Sequence, residues 1–163
     1  MNIKNMNIRY YDYSKYGHVN KDKLKELANV IYGNFSHIAN SQLDHSVKSI
    51  EKILSSENVV MYCFYDGNNM ISYILMDKKI LNDNRHVLYV DYLYVSEKYR
   101  KHGLGSRMID MAKEYANNNS LQGLLLTTNV NDKKLMRFYT KHGFSYDMFL
   151  RTYLKFDILY CKL

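Results

Sequence analysis

Tyr94-Val95-Ser96-Glu97-Lys98-Tyr99-Arg100-Lys101-His102-Gly103-Leu104-Gly105-Ser106 is the stretch that decides the reading of this chain. Before it runs His86 to Val95, dominated by Val, Leu and Tyr, which predicts a buried strand. After it, Leu104, Met108, Met111, Ala112 and Tyr115 share one face of a predicted helix over 103–117. The stretch is therefore a strand-to-helix turn with two glycines, which let backbone approach a ligand closely. A helix start offers unpaired N–H groups and a positive dipole end, and Arg100, Lys101 and His102 add charge there. The combination suits an anion, with a plain structural turn as the alternative. A dinucleotide fingerprint needs a third glycine where Met108 stands, and no Gly-Lys-Ser/Thr follows, so neither common nucleotide loop fits.

Outward from this turn, the pattern predicts a mixed sheet with helices on its faces. An opening strand falls within 2–13, a helix over 20–35 with Asn20 as N-cap, and a second helix over 41–55 with a weak Ser41/Asp44 capping box. Val59 to Tyr65 and Met70 to Met76 flank Asp66-Gly67-Asn68-Asn69 and read as a hairpin, followed by a polar connection from Asp77 to Arg85. Downstream come a short strand over 124–128, a helix over 131–141 stopped at Gly143, and one long or two shorter strands over 144–159.

The chain has 163 residues, too few for two ordinary domains, so we expect one domain over 1–163. With 47% apolar and 14% aromatic residues it has material for a core, which excludes disorder as a global description. No apolar run is long enough to span a membrane, and 1–10 lack the apolar segment of a secretory signal. The two cysteines, Cys63 and Cys161, do not make a disulfide framework; we read them as small core residues of an intracellular, cytoplasmic protein. The net charge of +7 favours anionic partners, although the lysines are scattered. The six histidines form no metal-ligand spacing, so no metal is expected.

Arg100-x-x-Gly103-x-Gly105 resembles the acyl-CoA pyrophosphate motif of the GNAT superfamily of N-acetyltransferases. Phe138-Tyr139-Thr140-Lys141-His142-Gly143-Phe144 resembles that family's Leu/Phe-Tyr-x-x-x-Gly-Phe, and the element order matches from about 8 to 160. The resemblance implies a three-layer α/β fold, with a mostly antiparallel sheet of six or seven strands and about four helices. It implies that Arg100, Lys101, His102, Gly103, Leu104, Gly105 and Ser106 hold the pyrophosphate of acetyl-CoA. It further implies that the main chain of Leu93, Tyr94 and Val95 pairs with the pantetheine arm, which requires this strand to splay from the one over 124–128. Tyr139 matches the tyrosine that protonates the departing thiolate. The family's Asn that reaches the arm falls at Asp132, with Asn131 beside it; we take Asn131 as the contact, and either residue as an alternative helix cap.

The general base is open. Asp91 sits in the apolar strand, where a carboxylate is costly unless paired or used, and alternation puts it on the face of Leu93 and Val95. His86 is the fallback. The acceptor, a small-molecule or peptide amine, would meet a wall from 20–57 and 144–160, with Tyr32, Phe35, His37, Tyr146 and Tyr153 as candidates. A basic protein matches a strongly cationic acceptor poorly unless a local acidic patch overrides the charge. The oligomeric state is open, a homodimer being one option. The rival reading is a non-catalytic module binding acyl-CoA or nucleic acid, the latter disfavoured because the aromatics fall in strand-like runs.

Overall fold

The computed structural model describes residues 8–12, 21–38 and 42–163. Its strands are β1 (Ile8–Asp12), β2 (Val59–Asp66), β3 (Asn69–Ile80), β4 (His86–Val95), β5 (Gly123–Asn129), β6 (Ser145–Tyr146) and β7 (Phe156–Lys162). The α-helices are α1 (Lys21–Asn34), α2 (Val47–Leu54), α3 (Leu104–Asn118) and α4 (Lys133–Lys141). The strands form one seven-stranded sheet in the order β1-β2-β3-β4-β5-β7-β6. Every neighbouring pair is antiparallel except β4 and β5. The strand singled out for its apolar run therefore lies at the sheet's centre.

The sheet is covered on both faces. On one, Leu104, Met108, Ile109 and Ala112 of α3 and Tyr139 of α4 pack on Leu88, Val90, Ile74 and Leu126. On the other, Ala28 and Ile31 of α1 and Ile50 and Leu54 of α2 pack on Met61, Tyr73, Leu75 and Tyr92. Such burial is the main favourable term in folding. Cys63 and Cys161 are both buried and free, and burial pushes the Cys63 thiol up to about 12. No helix among the described residues is long and apolar enough to cross a membrane.

Three boundaries differ from the sequence expectation. Helix α2 starts at Val47, not near Ser41: the Ser46 hydroxyl accepts from Ser49 N–H, and the Ser49 hydroxyl accepts from Ser46 N–H. That reciprocal cap replaces the expected Ser41/Asp44 pair; Ser41, like Asn20, lies outside the described residues. Strand β3 continues through Asp77, Lys78, Lys79 and Ile80, expected as a polar connection, because its backbone still pairs with His86 to Tyr89. Backbone pairing does not need apolar side chains where a strand leaves the core. Between β6 and β7, a non-strand segment is pinned by two buried carboxylates. Asp147 accepts from Arg85 and from the N–H groups of Phe149 and Leu150, and Asp157 accepts from Arg151 and the N–H groups of Thr152 and Ile158.

Candidate functional site

The site begins where two parallel strands part. Strands β4 and β5 pair from Val87 opposite Gly123 to Val90 opposite Leu126, and no further. Both run on, to Val95 and Asn129, so beyond Val90 the β5-side edge of β4 has no strand partner among the described residues. A cleft of about 1050 Å³ opens there, with Leu93, Tyr94, Val95, Arg100, Thr128 and Tyr139 in its lining.

At the parting point β4 carries a bulge: Leu75 pairs with Tyr92 and Met76 with Val90, leaving Asp91 unopposed. This corrects the face expected for Asp91. Leu88, Val90, Leu93 and Val95 pack toward α3. Asp91 instead joins its carboxyl to that of Asp77, whose strand partner Tyr89 alternates away from Leu88 and Val90. One oxygen of each, Asp77 Oδ1 and Asp91 Oδ2, is buried and meets no hydrogen-bond donor among the described residues. Burial first, then the neighbouring Asp77 carboxyl, raises the Asp91 pKa, while Lys79 pulls it back. Lys79 Nζ lies 4.3 Å over the Tyr89 ring, and the Tyr89 hydroxyl is 2.8 Å from Thr127 Oγ1.

The glycine turn follows a short 3₁₀ segment, Glu97–Tyr99. Lys101 and Gly103 take left-handed backbone, φ 64° and 84°. Glycine adopts that conformation without the Cβ clash that penalises other residues. Gly103 caps α3, and Arg107 N–H is the first to bond back, to the Gly103 carbonyl at 3.0 Å. The N–H groups of Leu104, Gly105 and Ser106 precede that bond and are left for an outside acceptor. Gly105 has a second reason to lack a side chain: a Cβ there would lie 3.3 Å from the Phe138 ring of α4. The Ser106 hydroxyl is already engaged, 2.9 Å from His142 Nε2. Arg100 folds back, its Nε donating to the Val95 carbonyl at 2.8 Å. Lys101 is exposed and His102 half-buried on the same turn.

Tyr139 sits within α4, its ring edge-on to Phe138 and Phe144 at 5.2 and 5.5 Å. It lines the cleft, and its hydroxyl has no partner among the described residues. Burial raises its pKa, so the hydroxyl keeps its proton at neutral pH. Of the two candidates at the start of α4, Asp132 caps the helix by accepting from Leu135 N–H, and it lines the cleft. Asn131 is exposed and donates its N–H to Asn129 Oδ1.

His86 is exposed at the far end of β4, with its N–H on Gln122 Oε1, and does not line the cleft. Phe35 and His37 do line it; Tyr146 and Tyr153 do not, since both stack on Arg151 at 3.8 and 4.3 Å. Sequence reasoning missed Asp77, His45 and Tyr92. His45 Nδ1 is 2.7 Å from the Tyr92 hydroxyl, and its ring stacks on Tyr32 at 4.9 Å. Asp77 carried one usable signal, a carboxylate ending an apolar run as Asp91 interrupts one. His45 carried none, because its partner is distant in sequence.

The acetyltransferase (GNAT) family profile matches residues 23–144. Streptothricin acetyltransferase A of Bacillus subtilis (strain 168) is 30% identical over 91 residues, 56% of this chain and 50% of its own length. The chain thus spans about half the length of that curated relative. Among solved structures, Arabidopsis thaliana NAA60 in complex with acetyl-CoA superposes with a TM-score of 0.68 at 14% identity, covering 96% of this chain and 98% of its own. PaiA N-acetyltransferase from Thermoplasma acidophilum, in complex with coenzyme A, superposes with a TM-score of 0.65 at 16% identity, covering 97% and 100%. At such identities these two likenesses speak for the fold.

Proposed function

We propose that this chain, which belongs to the acetyltransferase (GNAT) family, moves an acetyl group from acetyl-CoA to a primary amine by direct attack, as one catalytic domain. The observation that carries the reading is the parting of β4 from β5 beyond Val90 and Leu126, beside the open first turn of α3. The free edge of Leu93, Tyr94 and Val95 takes the pantetheine arm as an added strand would be taken. The N–H groups of Leu104, Gly105 and Ser106, with Arg100 and Lys101, take the pyrophosphate. The net charge of +7 favours such a polyanion.

The amine nitrogen attacks the thioester carbon, the C–S bond breaks, and the nitrogen gives up a proton to Asp91. Tyr139 protonates the departing sulfur, since a thiolate leaves more readily as its conjugate acid. The cleft lining sets Asp44, Asp77, Asp91 and Asp132 against Lys52, Lys79 and Arg100, so it is less basic than the chain as a whole. Two buried free cysteines fit a reducing, cytoplasmic setting. The name of the Bacillus subtilis relative makes streptothricin the first acceptor to try, followed by peptide N-termini and small polyamines.

The experiment is a panel of these amines with acetyl-CoA, read by release of free CoA thiol and by mass spectrometry of the amine. Amine-dependent release with an acetylated product is expected. No release with any amine, together with no rise in Tm on adding acetyl-CoA, would overturn the reading.

A further inference from the structure

Asp77 has no role in the transfer as written, yet the β4 bulge turns Asp91 toward it. Two carboxyls can hydrogen-bond only when one supplies a proton. Both residues line the cleft, and one oxygen of each, Asp77 Oδ1 and Asp91 Oδ2, is buried with no donor among the described residues. Around the pair stand Lys79 on β3, Tyr89 and Tyr92 on β4, and Asp44 and His45 before α2. Of these, only Lys79 brings a fixed positive charge, and its ammonium sits over the Tyr89 ring.

We infer that Asp77 is a positioning residue for acetyl transfer: it shares one proton with Asp91 and so fixes the Asp91 carboxyl at the cleft wall as the acceptor of the amine's proton. This rests on the acetyltransferase reading above. The neutral amine's lone pair forms the C–N bond to the acetyl carbon, and the electrons of the breaking C–S bond stay on sulfur. The nitrogen passes one proton to the Asp91 carboxyl, which makes the pair doubly protonated and uncharged. Sulfur takes one proton from the Tyr139 hydroxyl. Solvent then returns a proton to Tyr139 and removes one from the pair, so amine and acetyl-CoA become amide and CoA thiol with nothing left over. Because the pair already holds a proton, Asp91 is a stronger base than an ordinary carboxylate.

The test combines carboxyl titration by ¹³C NMR with a pH profile of kcat/KM on the full chain. In the wild type, the Asp91 side-chain carbon, assigned by its loss in Asp91→Asn, should titrate in two steps, the upper one above the ordinary carboxylate range. In Asp77→Asn the amide still donates to Asp91 but has no proton to share and no charge, so the upper step should vanish. The acid limb of kcat/KM should move to lower pH by about one unit or more. A merely structural Asp77 would lower the rate at every pH alike and leave the limb in place, which overturns the proposal. So does a wild-type Asp91 that titrates once within the ordinary range, a result needing no folded variant. Two-step titration in a chain that acetylates no amine would sink the transfer reading and leave the shared proton standing.

Discussion

Arg100 Nε donates to the carbonyl oxygen of Val95 at 2.8 Å, so the side chain proposed to meet phosphate also closes the end of the strand proposed to meet the pantetheine arm. The guanidinium keeps further N–H donors for an anion, because only one of its five is used in that bond. Lysine can supply the charge but cannot reproduce the planar fork. We expect Arg100→Ala to weaken acetyl-CoA binding by about tenfold or more, the worth of a charge-assisted hydrogen bond. Arg100→Lys should recover part of it. Calorimetry decides, and an unchanged Kd in the alanine variant would remove Arg100 from the site.

Gly103 separates backbone strain from ligand exclusion. A Cβ at this position meets nothing within 4 Å, yet φ is 84°, so alanine is strained without clashing. Gly103→Ala should therefore cost about 1 kcal/mol, lowering Tm by about 2–4 °C. Gly103→Asp carries the same strain and adds a carboxylate where the pyrophosphate is proposed to lie. Its acetyl-CoA binding should be lost while the fold persists. Equal affinities in the two folded variants would show that the turn does not hold the phosphates.

Asp91 should be a residue that the reaction needs and that stability does not. Burial and the Asp77 carboxyl raise its pKa, so the native chain keeps a proton that the unfolded chain releases above about pH 4. The unfolded state then binds fewer protons, and stability falls as pH rises from there toward the native titration. Asp91→Asn removes that loss and still offers Asp77 a donor. Its Tm should exceed the wild type's at pH 8 by about 2–4 °C, the shift that about 1 kcal/mol produces at this size. The advantage should shrink toward pH 4, while acetyl transfer is lost. Scanning calorimetry across pH checks the sign, and a Tm difference independent of pH would contradict it.

What was legible in the sequence was local. The strand from His86 to Val95, the glycine turn and the Tyr139 segment each announce themselves within a dozen or so residues, by alternation, helical spacing or turn chemistry. The bulge was not legible, because it depends on how β3 and β4 slip past each other, and it reversed the face assigned to Asp91. Asp77 was hidden by its polar neighbours Lys78 and Lys79, which look like a loop although their backbone is paired with β4. His45 and Tyr92 meet only because α1 and α2 fold over the sheet. The residues proposed to hold acetyl-CoA thus follow a local pattern, and those proposed to face the acceptor come together through tertiary packing.

Tyr139 is the sharpest test of the chemistry. Its hydroxyl has no protein partner among the described residues, and its ring packs between Phe138 and Phe144. Tyr139→Phe deletes the hydroxyl and keeps the ring, so Tm and acetyl-CoA affinity should stay close to wild type. If the hydroxyl protonates the departing sulfur, turnover should fall by roughly 10²–10⁴, the usual worth of a positioned acid. Because that contact exists chiefly in the transition state, kcat and kcat/KM should fall together. Single-turnover kinetics with a responsive amine from the panel make the comparison at the chemical step. A rate equal to wild type there would take Tyr139 out of the mechanism and leave water as the donor to sulfur.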